Sequence, residues 1–394
     1  MKRIVLKKGR DKPTRCAHPW IFSGAIERVE GDIAPGEIAE VASANGERLG
    51  AGAYSPASDI RVRMVSGRPG DLVRASVARR AGFFRNDSRT TAFRLVHAES
   101  DGVPGVVADW YDGFIAIQLT SAWAERNKGE IVEALAATPG AKGVWNRSDV
   151  AIRGKEGLSL AAEDTTGLLA GDEPPELVEI REGTMRLFVD IRNGHKTGYY
   201  LDQRDARAEV GAIAAGRRVL NAFSYTGGFA VAAALGGARE AVNVDVSEDA
   251  LALAARNAEL NGVGGKIANA KADVFLELRR LRDAGKQFDM IVLDPPKFAD
   301  SKARLMKAMR GYKDINLLAM KLLSPGGILA TFSCSGAMTR ELFDTVLREA
   351  AHDAGRTIRI ISRTRQGEDH PVDLAFPEGE YLKGAICRFD ALPK

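Results

Sequence analysis

From residue 207 onward, strand-like and helix-like stretches alternate, and this rhythm limits the possible folds more than any other feature of the chain. The strand-like runs are RRVLNAF, EAVNVDV, KIANAKAD, FDMIVLD, GGILATF and TIRIISR. Helical stretches such as SEDALALAARNAELNG at 247–262 lie between them. Ser247 is placed to cap the first amides of that helix, acids fill its first turn, and Asn261-Gly262 can end it. Such alternation predicts a doubly wound α/β sheet covered on both faces. The last run, YLKGAICRF, follows IRIISR with no helical stretch between, so one strand at that edge is expected to be antiparallel.

Upstream the pattern changes. Residues 1–70 alternate short apolar runs with Gly/Pro turns, as in PGEIAEVAS, ERLGAGAYS and IRVRMVS, which predicts a small all-β module ending near 73. The stretch 74–95, RASVARRAGFFRNDSRTTAFRL, reads as helical and basic. GVVADWY and FIAIQLT flank Asp112-Gly113, a strong hairpin signal. A helix at 124–137 and the strand KGVWNRS complete a small α+β module over 74–176. Its last part, 161–176, is rich in Gly, Pro and acids and reads as a linker. ELVEIREGTMRLFVDI is expected to form a hairpin opening a third domain, 177–394.

The formal net charge of +4 hides an asymmetry: residues 1–95 carry 18 Lys+Arg against 10 Asp+Glu, and the remainder 38 against 42. A basic N-terminal part fits a polyanion partner, because cations displace counterions condensed on phosphates. Solvated surface charge is the alternative. The longest apolar stretch, FAVAAALGGA at 229–238, is far short of the ~20 residues of a membrane span. The N-terminus lacks the apolar core of a signal peptide. Cys16, Cys334 and Cys387 are too few and too scattered for a disulfide framework or a zinc site. A reducing cytoplasm, no membrane and no metal are therefore expected.

In sheets of this kind ligands bind outside the carboxyl ends of the strands, where strand order reverses. The first strand ends in VLNAFSYTGGF, whose Gly227 and Gly228 let backbone approach a ligand closely. The next strand ends in Asp245, which can accept both hydroxyls of an adenosine ribose. The third ends at Asp273, placed for the adenine. A dinucleotide would require G-x-G-x-x-G for its pyrophosphate, and the chain offers only SYTGG. S-adenosylmethionine has no phosphate and needs less. The ordered set of glycine loop, Asp245, Asp273 and then Asp294-Pro295-Pro296 points to a class I methyltransferase. The candidate cofactor residues are Phe223, Ser224, Tyr225, Thr226, Gly227, Asp245, Ser247, Asp273 and Asp294.

Two strand ends carry the chemistry. Asp294-Pro295-Pro296 locks the backbone and removes two amide donors, leaving carbonyls to accept from a flat polar ring. Related turns serve enzymes that methylate exocyclic amines, with an aromatic after the prolines, but here Lys297 holds that place. The next strand ends in FSCSG, with Cys334 between Ser333 and Ser335. Cytosine C5 is a poor nucleophile until a thiolate adds to C6, and Cys334 is the candidate for that thiolate. A thiol with an ordinary pKa of about 8.5 needs a nearby cation, and Lys297 can supply it if the two strand ends adjoin. A small core cysteine is the alternative for Cys334; Cys16 and Cys387 read as structural. The base that removes the C5 proton stays open among ordered water, Asp294 and a residue of EDHP at 368–371. Arg304, Lys307 and Arg310, in the basic run 297–313, share one helix face and can grip phosphates beside a flipped or looped base.

KTGYYLDQR (196–204), NAFSYTGGFAV (221–231), LDPPKF, FSCSG and FPEGEYLKG (376–384) together resemble the bacterial ribosomal RNA large subunit methyltransferase I family, which makes 5-methylcytosine in 23S rRNA. The resemblance runs through the whole chain. It implies an N-terminal β-rich PUA domain that binds RNA, a small central α+β domain and a Rossmann-like, S-adenosylmethionine-dependent methyltransferase domain. It implies Cys334 as nucleophile, Asp294 facing the base, and Gln203, with Asp202 and Arg204, near the cofactor. The implied partner is 23S rRNA or a large-subunit assembly intermediate; a homodimer is left open. A related family methylating guanine N7 shares the loop and Pro-Pro motifs but has no need of the cysteine. An RNA base N-methyltransferase or a non-catalytic ribosome-binding factor are thus the alternatives, and Cys334 discriminates.

Overall fold

The computed structural model describes residues 2–85, 89–298 and 304–390. The chain divides into two units, one of residues 1–180, 189–201 and 368–379, the other of 181–188, 202–367 and 380–394.

The first unit opens with β1 (Arg3–Leu6), the single-turn helix α1 (Lys12–Arg15), β2 (Trp20–Phe22), β3 (Ile26–Glu30), β4 (Ile38–Ala42), β5 (Arg48–Tyr54) and β6 (Ile60–Met64). These strands form one sheet in the order β2-β6-β5-β4-β1-β3 around Ile4, Leu6, Ile21, Val41 and Val62. Then come α2 (Pro69–Arg79), β7 (Ala92–His97), β8 (Val106–Tyr111), β9 (Phe114–Leu119), α3 (Ala122–Arg126), α4 (Lys128–Ala136), β10 (Gly143–Arg147), α5 (Ile152–Lys155), α6 (Ala162–Thr165) and β11 (Thr166–Gly171). Strands β7 to β11 make a second sheet in sequence order.

Three expectations are corrected here. The basic stretch 74–95 is not one helix: α2 starts at Pro69 and stops at Arg79, and Ala92–His97 is a fully buried strand. Phe93, Leu95 and Val96 belong to the core of this sheet, and Phe83 stacks on Phe93, so burial overrides the helical reading. The single helix expected at 124–137 is two helices, broken at Asn127, whose Nδ2 donates to the Trp123 carbonyl at 2.7 Å. The linker at 161–176 holds α6 and β11, which pairs antiparallel with β10. Gly167 and Gly171 have positive φ within that strand, and glycines needed for its path are what made it resemble a linker.

The hairpin expected after 177 is β12 (Val178–Glu182) and β13 (Met185–Val189). The second unit continues with α7 (Arg204–Ala212), β14 (Arg218–Ala222), α8 (Gly228–Leu235), β15 (Glu240–Asp245), α9 (Glu248–Leu260), β16 (Ile267–Lys271), α10 (Val274–Asp283), β17 (Phe288–Leu293), α11 (Leu305–Leu322), β18 (Leu323–Ser333), α12 (Arg340–Asp353), β19 (Thr357–Thr364) and β20 (Lys383–Asp390). Its sheet runs β16-β15-β14-β17-β18-β20-β19, so strand order reverses between β14 and β17. The first five strands are parallel, and β20 is antiparallel to both neighbours. The antiparallel strand is therefore not at the edge, as expected, but one place in, with β19 outside it.

Both faces of this sheet are covered. Leu220, Ile291 and Leu329 face one core with α10, α11 and α12, while Val219, Met290, Ile328 and Phe332 face the other with α7 and α8. Successive strand residues alternate between two apolar cores, which is why the runs look uniformly hydrophobic. A polar ladder crosses three strands: Asn221 Nδ2 donates to Asn243 Oδ1 at 2.8 Å, and Asn243 Nδ2 to Asn269 Oδ1 at 2.9 Å. The three asparagines are register partners on β14, β15 and β16. Asn221 and Asn243 are buried, and Asn269 is exposed. Removing a buried partner costs about 1–3 kcal/mol, an exposed one less. Urea denaturation should therefore show Asn243→Ala losing about 1–3 kcal/mol and Asn269→Ala distinctly less.

Candidate active site at the carboxyl ends of the strands

The loop after β14 is the most strained stretch of the second unit. Among the described residues six non-glycine residues have positive φ, and two of them, Phe223 (60°) and Tyr225 (45°), fall in this loop, with Gly227 at 79° two residues on. Aromatic residues rarely adopt this conformation, which costs on the order of 1–2 kcal/mol each. Several contacts hold the loop in place. The Ser224 amide donates to the Val244 carbonyl at 3.1 Å, and the Gly227 amide to the Ser224 carbonyl at 2.9 Å. Asp245 accepts from the amides of Tyr225 at 2.8 Å and Ser247 at 3.0 Å. Asn257 Nδ2 on α9 donates to the Thr226 carbonyl at 3.1 Å. Packing requires glycine at 227: a Cβ there would lie 2.9 Å from Ala254 Cβ and 3.0 Å from Asn243 Nδ2.

This loop fits S-adenosylmethionine. Ser224 Oγ, Thr226 Oγ1 and Gln203 Oε1 are buried and have no hydrogen-bond partner among the described residues. Such groups destabilise the fold unless something fills their need. Asp245, half-buried at the end of β15, is fixed by two amides and keeps lone pairs for further donors. Ser247 Oγ caps α9 by accepting from Ala250 N at 3.2 Å. Asp273 lies past the end of β16, is exposed, and caps α10 by accepting from Leu276 N at 3.0 Å.

Strands β17 and β18 are adjacent and parallel, with Leu293 opposite Thr331, so the two motifs that follow them adjoin. Asp294 accepts from Gln203 Nε2 at 2.9 Å, which brings the YLDQR segment to this end of the sheet. Asp202, its neighbour, accepts from Tyr381 Oη at 2.7 Å. Cys334 is half-buried against the core that contains Phe332. Around it, Ser335 N donates to Ser333 Oγ at 3.4 Å, and Tyr312 Oη lies 3.1 Å from Ser335 Oγ. Burial pushes the Tyr312 phenol up to about 12, hydrogen bonds to Ser333 and Ser335 pull it back, and charge on Cys334 and Asp294 adds to the rise.

Sequence reasoning missed Lys383. It pairs with Ser333 across β18 and β20, and its Nζ donates to the Ser335 carbonyl at 2.9 Å. Burial lowers the Lys383 ammonium to about 8, while Cys334 and Glu380 pull it upward and Arg340 and Lys297 lower it further. Lys297 is exposed. The signals for Lys383 in the sequence were a charged residue within an apolar strand-like run and its place in FPEGEYLKG.

The remaining candidates fall as follows. Arg304 precedes α11, Lys307 and Arg310 lie on it, and all three are exposed; positions 299–303 of the basic run lie outside the described residues. Asp369 and His370 of EDHP are buried in the first unit, where Asp369 accepts from Arg94 N at 2.9 Å through Oδ2 and from Arg80 Nη2 at 2.9 Å through its carbonyl. Asp369 is thereby engaged within the first unit, while Glu368 is exposed. Cys387 is buried, and its burial pushes the thiol up to about 12. Cys16, read as structural, is exposed at the end of α1. No group of His, Cys, Asp and Glu suited to a metal occurs among the described residues, and no helix there is long and apolar enough to cross a membrane.

A family model for S-adenosylmethionine-dependent methyltransferases matches residues 95–377, and one for PUA-like domains matches 4–67. The chain is 47% identical to the ribosomal RNA large subunit methyltransferase I of Cronobacter sakazakii over 98% of each chain. It is also 47% identical to that of Escherichia coli O139:H28, over 98% of this chain and 99% of the other. A crystal structure of a methyltransferase complexed with SAH superposes with a TM-score of 0.86 at 24% identity, over 98% of this chain and 100% of that one, which speaks for the fold. The loop geometry yields a direct test. Gly227→Ala, strained at positive φ and pressed on Ala254 and Asn243, is expected to lower stability by about 1–3 kcal/mol in thermal unfolding and to weaken SAH binding in calorimetry.

Proposed function

The chain belongs to the ribosomal RNA large subunit methyltransferase I family, and from that premise we propose that it methylates carbon 5 of a cytosine in 23S ribosomal RNA through a covalent adduct with Cys334. The observation that carries this reading is the placement of Cys334. It is a half-buried thiol at the end of β18, beside the Asp294 turn that ends β17, with the buried ammonium of Lys383 donating to its neighbour Ser335. A thiol kept only for packing has no need of such surroundings.

S-adenosylmethionine, when bound, supplies an electrophilic methyl group. Phe223, Ser224, Tyr225, Thr226 and Gly227 would line its site, with Asp245 for the ribose, Asp273 and Ser247 nearby, and Gln203 and Asp294 toward the reacting end. Cys334 forms a bond from Sγ to C6, and the C5–C6 π pair moves into the ring so that C5 becomes enamine-like. C5 would then bond to the donated methyl carbon as that carbon's bond to the sulfonium sulfur breaks and its pair stays on the sulfur. Loss of the C5 proton leaves the C5–H bonding pair to re-form the C5–C6 double bond, the C6–sulfur bond breaks with its pair going to sulfur, and the thiolate is restored. Asp294 and ordered water remain the acceptors for that proton. The exposed cations Arg304, Lys307 and Arg310 would hold phosphates flanking a base drawn out of its stack. The PUA-like segment 4–67 would supply further contact with the RNA.

Nucleoside mass analysis of 23S rRNA methylated by the wild-type protein should show 5-methylcytidine. Cys334→Ala should reduce its formation by about a thousand-fold or more, with SAH affinity changed by less than about twofold. Undiminished methylation by the variant would instead identify a base N-methyltransferase, and absence of SAH binding by the wild type a non-catalytic RNA-binding factor.

A further inference from the structure

The segment EYLKG at 380–384 has no part in the steps above, yet it ends at the site. Lys383 is the first residue of β20 and the register partner of Ser333, the last of β18. Its ammonium donates to the carbonyl of Ser335, the residue after Cys334, at 2.9 Å. The backbone of this lysine is thus fixed beside the residue before the thiol, and its charge beside the residue after it. Gly384 allows this close fit, since a Cβ there would collide with Thr364 Oγ1 and the Phe332 ring.

Lysines usually run their stems along the surface and keep the charge in water. Lys383 is only 4% exposed. Holding an ammonium out of water costs several kcal/mol unless a negative partner offsets it. A carbonyl takes one of its three protons. We propose that Lys383 is the positioning cation of the nucleophile: its buried ammonium holds Cys334 as the thiolate. The inference deepens the reading of Cys334 as nucleophile and rests on it.

The charged and titratable groups around the thiol come from four directions. Asp294 and Lys297 follow β17, Tyr312 is on α11, Arg340 on α12, and Glu380 and Lys383 belong to the segment entering β20. Arg340 lies 3.5 Å from Glu380, so those two charges offset each other. Lys297, the cation expected to serve the thiol, is exposed and its field is screened by water. Lys383 acts through a medium of lower dielectric and is the stronger influence. Lowered to about 8, chiefly by burial, the lysine is charged at neutral pH and loses its charge as pH rises through that region.

The test reads the thiol without RNA or methyl donor. In a Cys16→Ser background, the rate of iodoacetamide labelling of the peptide containing Cys334 is followed against pH for Lys383, Lys383→Met and Lys383→Arg. Circular dichroism and SAH binding confirm that each variant is folded. The midpoint should rise by about one unit or more in Lys383→Met, which is about tenfold slower labelling near neutrality, and Lys383→Arg should restore it. An unchanged midpoint in Lys383→Met, or an equal shift in Lys383→Arg, would overturn the proposal. Because labelling does not depend on methylation, a methylation-competent Cys334→Ala variant would sink the nucleophile reading separately, leaving the thiolate pairing to be judged by its own titration.

Discussion

The antiparallel pairing of β20 with β18 determines what the carboxyl end of this sheet can do. Were β20 absent, β18 would be an edge, and the thiol that follows it would face water on one side. With Ser333 opposite Lys383, the strand covers that side and delivers a cation in the same register. A shift by one residue would turn the lysine to the opposite face, into an apolar core beside Leu382 or Ile386. Register, set by apolar residues along the strand, thereby determines the electrostatics at its end.

A comparable dependence links the cofactor loop to the sheet beneath it. Asn243 sits in the ladder between Asn221 and Asn269 and also lies under Gly227, which must have no side chain. Asp245, two residues further on β15, anchors the Tyr225 amide. Polar groups of one strand thus hold a strained loop that extends from another. Strain in Phe223 and Tyr225 is maintained because the surrounding bonds leave the loop no relaxed alternative. Ser224 Oγ and Thr226 Oγ1, buried without partners among the described residues, are the clearest sign that this arrangement serves a ligand.

Much of this was legible in the residues. The α/β rhythm gave the strand positions because parallel strands buried on both faces are continuous apolar runs, and turn residues bounded them. Ser247 and its acids announced the start of α9. Sequence patterns failed where a residue's meaning depends on a distant partner. The helical look of 74–95 ignored the aromatic core that draws Phe93 into a strand. Glycines at 167 and 171 signalled a linker although they shape an edge strand. At the site, the expected adjacency of two strand ends favoured Lys297, and only long-range pairing across β18 and β20 reveals Lys383. EDHP looked like available acid–base chemistry, but burial and bonds to Arg80 and Arg94 commit Asp369 elsewhere.

The account stands on one bond, from the sulfur of Cys334 to a pyrimidine ring. Incubating the protein with S-adenosylmethionine and a 23S rRNA fragment carrying 5-fluorocytidine, then digesting and weighing the peptides, tests it most directly. Fluorine cannot leave as a proton does, so elimination stalls and the sulfur stays attached. The account predicts a nucleotide adduct on the peptide containing Cys334; methylation of the unsubstituted fragment with no adduct on that peptide from the fluorinated one would contradict it.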